Sequence, residues 1–563
     1  MKLINPLLSS KVPQLQAVAS IVTLRPGSPP FIVFGPPGTG KTITIVEAIL
    51  QVLEADPRAR ILACAPSNSA ADLIASRLRV DRMNREDRKL NMNQLFRFYT
   101  LSCFKNQVPD DFLPFTATLP DGHFTVPPMH KLQDYRVVVL ACVSASFSAG
   151  IGMVRGHFTH ICIDGASQAT EPEAFVSIKT MADSNTNIIL SGDPKQLGPI
   201  VRSAIARDLG LEKSYLERLM DSEPYDLKNS YGKSGSVAVF QIPIMSAYWT
   251  FSPSVVKLVK NFRSHDAILK FPNQTFYENE LQQCAQSSVI NAYLDSSYLP
   301  SKKFPVVFHA VAGKDDREAS SPSFFNIDEI TQIKSYVQRL KSDRAFRTAD
   351  KDIGIIAPYH AQCVKLRAAL RNVADDVKIG SVEEFQGQVC QPLISSHPLR
   401  EAYPFIVCTQ ERKIILISTV RSSKEFVEYD LKHTLGFVAN PRRFNGMSTL
   451  SLFRRILTEK PHLVAVTKAQ ALLIIVGDPQ VLSLDPLWRS FLNYIYLQSG
   501  WTGPDITWDP NIPVDEAGGY DKDVRQTVTL DMNKFARRME GLALADVDED
   551  LDANVDRPWR DVE

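Results

Sequence analysis

Residues 35–42 read Gly-Pro-Pro-Gly-Thr-Gly-Lys-Thr and match G-x-x-x-x-G-K-[ST] in full. No other stretch of this 563-residue chain limits its fold as tightly. Such a loop works where a buried strand delivers it and a helix starts from its end. Residues 31–34 are a short apolar run of the first kind, and residues 43–53 have the spacing of an amphipathic helix. Gly35, Gly38 and Gly40 let backbone N–H groups curl around a phosphate, with Pro36, Pro37 and Thr39 between them. Lys41 is expected to neutralise β- and γ-phosphate oxygens, and Thr42 to offer its hydroxyl to Mg²⁺. The motif predicts a nucleoside triphosphate site.

Further short apolar runs fall at 61–65, 137–141, 160–163 and 187–190, each followed by small or polar residues. Buried strands interleaved with helices predict a parallel sheet in an α/β fold. The stretch 81–133 breaks this rhythm, being polar and then rich in proline and phenylalanine, and reads as an inserted subdomain. A second alternating unit is expected from about Val255, with strands at 306–308, 353–356, 414–418 and 472–476 and helices at 327–340 and 361–371. The expected division is 1–222, 223–513 and a mostly disordered acidic tail, 514–563, with one possible amphipathic helix at 530–544.

Composition excludes more than it assigns. With 44% hydrophobic and 22% charged residues, the chain is not disordered throughout. Its net charge of +1 says nothing about a polyanionic ligand, but residues 515–563 carry 14 acidic against 7 basic side chains. The preceding body is therefore mildly basic, which is compatible with nucleic acid. No run of apolar residues is long enough to span a membrane, and the N-terminus lacks a secretion-signal pattern. Eight scattered cysteines without a Cys-x-x-Cys pair fit a reducing, intracellular setting.

Asp164 closes the run 160–163, the expected place for a carboxylate that holds the metal. Gln196, in Ser191-Gly-Asp-Pro-Lys-Gln-Leu-Gly-Pro199, is a candidate γ-phosphate sensor, and Arg263, in Asn261-Phe-Arg-Ser-His265, a candidate arginine finger. Other segments follow in order: Ala65-Pro-Ser-Asn68, Gly380-Ser-Val-Glu-Glu-Phe-Gln-Gly-Gln388, Ser418-Thr-Val-Arg-Ser422, Asn440-Pro-Arg-Arg-Phe-Asn445 and Val481-Leu-Ser-Leu-Asp-Pro-Leu-Trp488 with Trp501-Thr-Gly-Pro504. In this collinear order the chain resembles superfamily 1 RNA helicases of the nonsense-mediated-decay-helicase branch, most closely the silencing-associated Armitage type.

The resemblance spans about residues 14–510 and implies two RecA-like lobes, ATP in the cleft, and single-stranded RNA across the top. It implies that Gln14 reads adenine, that Phe262 stacks on the base, and that Glu411 joins the ATP site. Ser67, Asn68 and Ser144 in the first lobe, and Pro358, Tyr359, Ser381 and Val382 in the second, are the implied RNA contacts. The implied activity is ATP- and Mg²⁺-dependent 5′ to 3′ movement on RNA. Its setting would be cytoplasmic silencing or mRNA-decay ribonucleoprotein, including granules, with the chain acting as a monomer.

Three departures stand against a working motor. Gly165 follows Asp164 where the family carries a water-polarising glutamate. The family's Thr-Arg-Ala-Lys reads Thr467-Lys468-Ala469-Gln470, so the catalytic cation Lys468 lacks arginine's planar fork. Extra residues at about 235–252, 389–410 and 446–463 interrupt the second lobe. They read as retained short introns, since Val389 is encoded GTN and Gln410 can be CAG, or alternatively as lineage-specific loops. An ATP-binding RNA clamp with little hydrolysis is the competing reading, and a DNA helicase of the same superfamily the third.

Overall fold

The computed structural model describes residues 3–5, 8–9, 11–79, 89–201, 203, 206–207, 209–225, 254–318, 323–386, 412–423 and 465–514. The atypical segments 235–252, 389–410 and 446–463, Glu411, and the tail after residue 514 lie outside them.

Two open sheets organise the chain. The first comprises β1 (Phe31–Phe34), β2 (Ile61–Ala65), β3 (Leu95–Arg97), β4 (Val137–Ala141), β5 (His160–Asp164), β6 (Asn187–Gly192) and β7 (Val255–Lys257). Their order is β3-β4-β2-β5-β6-β1-β7, with every pairing parallel. Nearly every residue of β1, β2, β4 and β5 is buried, as expected of strands covered on both faces. The helices α1 (Val12–Val22), α2 (Lys41–Ala55) and α3 (Asn68–Leu78) contribute Ala17, Val18, Ile45, Ile49 and Ile74 to one of the covering cores.

A small pair, β8 (Lys260–Asn261) with β9 (Gln282–Gln283), precedes the second sheet. That sheet contains β10 (Val306–Ala310), β13 (Ile353–Ile356), β14 (Lys378–Gly380), β15 (Arg412–Ser418), β16 (Ala469–Gly477) and β17 (Trp501–Thr502), in the order β14-β13-β15-β16-β10-β17. A short antiparallel ribbon, β11 (Asp315–Arg317) with β12 (Phe324–Asn326), flanks it. The α/β architecture of two RecA-like parallel-sheet lobes is as expected.

Two details differ from the sequence expectation. Val255–Lys257 does not open the second unit; it pairs with Ile32–Phe34 as the edge strand of the first sheet. A three-residue apolar run cannot say which sheet it joins, so alternation alone misplaced it. Within 81–133, Leu95–Arg97 is a strand of the first sheet, and Phe112 and Phe124 are buried in that lobe's core. The described part of the supposed insert is thus built into the lobe. Its strand is too short, and ends on too polar a residue, for periodicity to reveal it.

Candidate ATP and nucleic-acid sites

The phosphate loop leaves β1 at its carboxyl end, the usual ligand-binding end of an open parallel sheet. Gly38 has φ +70°, and a Cβ there would lie 2.7 Å from both Arg263 Cβ and Asn261 Nδ2. Only glycine meets both constraints. The segment that crowds it also holds the loop: Asn261 Nδ2 donates to the Pro37 carbonyl at 2.7 Å, and Phe262 N–H to that of Gly38 at 2.9 Å. Lys41, half-buried at the start of α2, donates its ammonium to the carbonyls of Gly35 and Pro36.

Thr42 Oγ1 donates to Asp164 Oδ2 at 2.6 Å, and Ser191 Oγ to Asp164 Oδ1 at 2.6 Å. The second contact follows from the β5–β6 register, in which Asp164 faces Ser191. A hydroxyl and a carboxylate are hard oxygen donors of the kind Mg²⁺ takes beside substrate phosphates. Gln14 lies under the loop with 1% exposure, and its Nε2 donates to the Thr39 carbonyl at 3.0 Å. Gln14 Oε1 is buried with no hydrogen-bond partner. An orphan acceptor of this kind is costly unless a ligand donor meets it, and an adenine amino group fits that need. The Lys11 ammonium sits 3.7 Å from the centroid of the Phe262 ring, and burial lowers its pKa.

Segment 467–470 of the second half is hydrogen-bonded to the segment that carries Arg263. Arg263 Nη1 donates to the Thr467 carbonyl at 3.1 Å, Ser264 Oγ to that of Ala469 at 2.7 Å, and His265 N–H to that of Gln470 at 2.8 Å. Arg263, whose Cβ crowds Gly38, is thus braced against the segment that holds the buried Lys468. Gln196 Nε2 donates to Asp193 Oδ2 at 2.8 Å, and the buried Tyr277 hydroxyl to the same oxygen at 2.9 Å. Tyr277 follows the helix Asp266–Phe276, so Asp193 couples the candidate sensor to the segment carrying Arg263. Sequence reasoning missed this link, because Asp193 and Tyr277 are 84 positions apart.

Gly165 has φ +75°, and a Cβ there would lie 3.4 Å from Pro66 Cδ and 4.0 Å from Gln168 Cδ. Glu171, the nearest carboxylate downstream, accepts from Arg218 through both oxygens, at 2.6 and 2.7 Å. Its carboxylate is thus committed to an ion pair with Arg218.

Among the candidate RNA contacts, Ser67 caps α3 by accepting from Ala70 N–H. Asn68 Oδ1 accepts from Arg97 Nη2 at 3.1 Å. Arg97 is fully buried, pairs with Asp72 at 2.8 Å, and lies 3.9 Å over the ring of Tyr99. The Tyr99 hydroxyl donates to the same Asp72 oxygen at 2.6 Å. Ser144 has a buried hydroxyl without a partner. In the second lobe, Pro358 is buried, and Ser381 Oγ accepts from Glu384 N–H. Tyr359 and Val382 are also buried; the Tyr359 ring packs edge-on against Phe324, 5.6 Å between centroids. Tyr359, an implied RNA contact, thus has an interior ring, with the Arg421 guanidinium and Phe324 beside it.

Beside it, Glu329 is fully buried, and burial pushes its carboxyl up to about 8 against the pull of hydrogen bonds from Ser418, Val420 and Thr419. A folded value above the ordinary 4.5 means that the folded chain holds this proton more tightly than the unfolded chain. The contribution is complete below about 4.5 and is lost as pH rises through about 8. Urea midpoints at pH 5, 6.5 and 8 should fall along that series, and Glu329→Gln, which cannot titrate, should flatten the slope.

Two domain families, each described as an AAA domain, match this chain: one at residues 11–116 and 129–204, the other at 239–398. RNA helicase Mov10l1 of Homo sapiens is 38% identical over 508 residues, which is 90% of this chain and 36% of that protein. The Drosophila melanogaster protein named "Probable RNA helicase armi" is 32% identical over 524 residues, 88% of this chain and 39% of that one. The chain belongs to the superfamily 1 helicases of the nonsense-mediated-decay-helicase branch. The expectation that the chain is nearest the Armitage type is supported only roughly, since identity to the Drosophila protein is 32% against 38% to the human helicase. This helicase chain spans less than half the length of those relatives. The second domain match runs through 239–252 yet stops at 398, inside the segment 389–410. No helix among the described residues is long and apolar enough to cross a membrane.

Proposed function

We propose that this chain is the ATP-dependent core of an RNA helicase, in which nucleotide binding and hydrolysis drive 5′ to 3′ movement on single-stranded RNA. The observation that carries the reading is the convergence on one phosphate loop of Lys41, the Thr42–Asp164 pair, and the Arg263–Thr467 contact from the second half. Lys41 and the loop N–H groups bind the triphosphate, while Gln14 and Phe262 orient the base. Thr42 and Asp164 would hold Mg²⁺, which supplies charge neutralisation at the phosphates. Arg263 and Lys468 meet the γ-phosphate side and link phosphate occupancy to the second lobe. Closure and reopening of the lobes then alternate grip and release of the strand.

The setting proposed is cytoplasmic silencing or mRNA-turnover ribonucleoprotein, with the chain acting as a monomer. RNA is favoured over DNA by the names that the relatives carry. The test is binding of unstructured RNA of varied sequence across a salt series. Backbone-directed contacts predict little dependence on base identity and a log–log slope of roughly −0.7 per neutralised phosphate. Strong preference for one sequence that persists at high salt would contradict this. Tighter binding of matched DNA would point to the third reading.

A second reading has its own observation. Gly165 offers no carboxylate, and the Glu171 carboxylate is held by Arg218, which favours an ATP-binding RNA clamp with little turnover.

A further inference from the structure

Val420 has φ +73°, a left-handed backbone that a β-branched residue adopts only when its surroundings force it. Its neighbours hold both sides of the residue. Glu329 accepts the Val420 N–H with both carboxylate oxygens, at 2.9 and 3.0 Å, while Asn326 Nδ2 donates to the Val420 carbonyl at 3.2 Å. Glu329 also accepts from the hydroxyls of Ser418 and Thr419. Asn326 caps the helix Ile327–Ser342 by accepting from Glu329 N–H at 3.1 Å, so the helix end and the loop are fixed as one unit.

The residues after Val420 depend on that turn. Arg421 forms a fully buried pair with Asp315 at 2.8 Å and lies 3.8 Å over the Phe324 ring. Ser422 N–H donates to Asp315 at 3.3 Å, and Ser422 Oγ accepts from Asn326 Nδ2 at 3.1 Å. The loop leaves the carboxyl end of β15, beside the ends of β13 and β14, where Pro358, Tyr359, Ser381 and Val382 lie. Strain kept at the ligand-binding end of a parallel sheet points to a loop whose shape is used.

We infer that Glu329 is a positioning residue that holds loop 419–422 in its strand-gripping shape by anchoring the strained backbone of Val420. The inference rests on the RNA-binding reading of this chain. Glu329 touches neither strand nor nucleotide; it acts through the loop. Arg421, engaged with Asp315, serves the same unit.

The test compares the full chain with Glu329→Asp and with Glu329→Asp/Val420→Gly. Aspartate keeps the acid but withdraws it by one C–C bond, ~1.5 Å, beyond hydrogen-bonding reach of the Val420 N–H. Glycine adopts the positive φ without support. Amide exchange in 419–422 should rise about tenfold or more in Glu329→Asp. Affinity for a labelled oligouridylate should fall about tenfold. ATP affinity without RNA should stay within about twofold, and the double variant should recover oligouridylate affinity to within about threefold of the parent. Unchanged exchange and affinity in Glu329→Asp would overturn the inference. So would a double variant that binds no better than the single one, since the loss would not then pass through the Val420 backbone. A parent chain that binds ATP but no oligouridylate refutes the RNA reading instead, and the exchange comparison then decides whether Glu329 holds the loop.

Discussion

Lys41→Ala is expected to abolish ATP binding while leaving the fold intact. The lysine is half-buried at the start of its helix, and its ammonium donates to the carbonyls of Gly35 and Pro36, so its removal opens no core cavity. Gly35 and Pro36 are buried, so their carbonyls lose a donor at a modest cost in stability. What is lost is a cation facing the triphosphate and its charge-assisted hydrogen bonds, each worth about 1.5–3 kcal/mol. At about 1.4 kcal/mol per tenfold, affinity should fall on the order of 10²-fold or more. Calorimetric titration with ATP and Mg²⁺ reads the affinity, and thermal unfolding reads the fold. Unchanged affinity in a folded variant would refute the phosphate-site assignment.

Gly165→Glu carries the other large effect, in the opposite direction. The left-handed backbone at this position costs a side chain roughly 1–2 kcal/mol. Space is available, since the nearest atom to a new Cβ is Pro66 Cδ at 3.4 Å. A positioned general base contributes about 10²–10⁴-fold, so kcat for RNA-stimulated hydrolysis should rise by that order, less the cost of strain. ATP affinity should barely move, because Lys41, Thr42 and Asp164 already form the phosphate and metal side of the site. A gain below about tenfold would mean that hydrolysis is limited elsewhere. Adding Lys468→Arg then locates the limit, since a further large increase assigns it to weak grip on the γ-phosphate. The comparison belongs in the full chain and in one without 235–252, 389–410 and 446–463. Mature transcripts that lack those segments would show them to be retained introns, whereas transcripts that keep them would show them to be coding loops.

The strands and the phosphate loop were legible because the chain writes them locally. Ile-Leu-Ala-Cys-Ala at 61–65 and Ile-Ile-Leu-Ile at 414–417 are apolar throughout, which is what burial on both sheet faces requires. Membership was harder to read. Val255–Lys257 pairs with β1 across more than 200 positions, and nothing in its three residues says so. Buried charge was invisible for a related reason. Arg97, Asp315, Glu329 and Arg421 look like surface residues until the fold supplies Asp72, Ser418, Val420 and Phe324 as their partners. Asn326 and Glu329 did carry a signal, the spacing of a helix cap and its third residue, but that pattern predicts only a helix start. Tyr359 and Val382 show the converse. Motif position marks where a strand could pass, while their buried side chains leave any contact there to backbone or neighbours.

ATP turnover by the purified chain, measured with and without saturating single-stranded RNA alongside ATP affinity, tests the helicase reading most directly. The account predicts micromolar-to-millimolar ATP binding that needs Lys41, and turnover that rises when RNA is added. ATP binding with turnover that RNA leaves unchanged, in both the parent chain and Gly165→Glu, would contradict it.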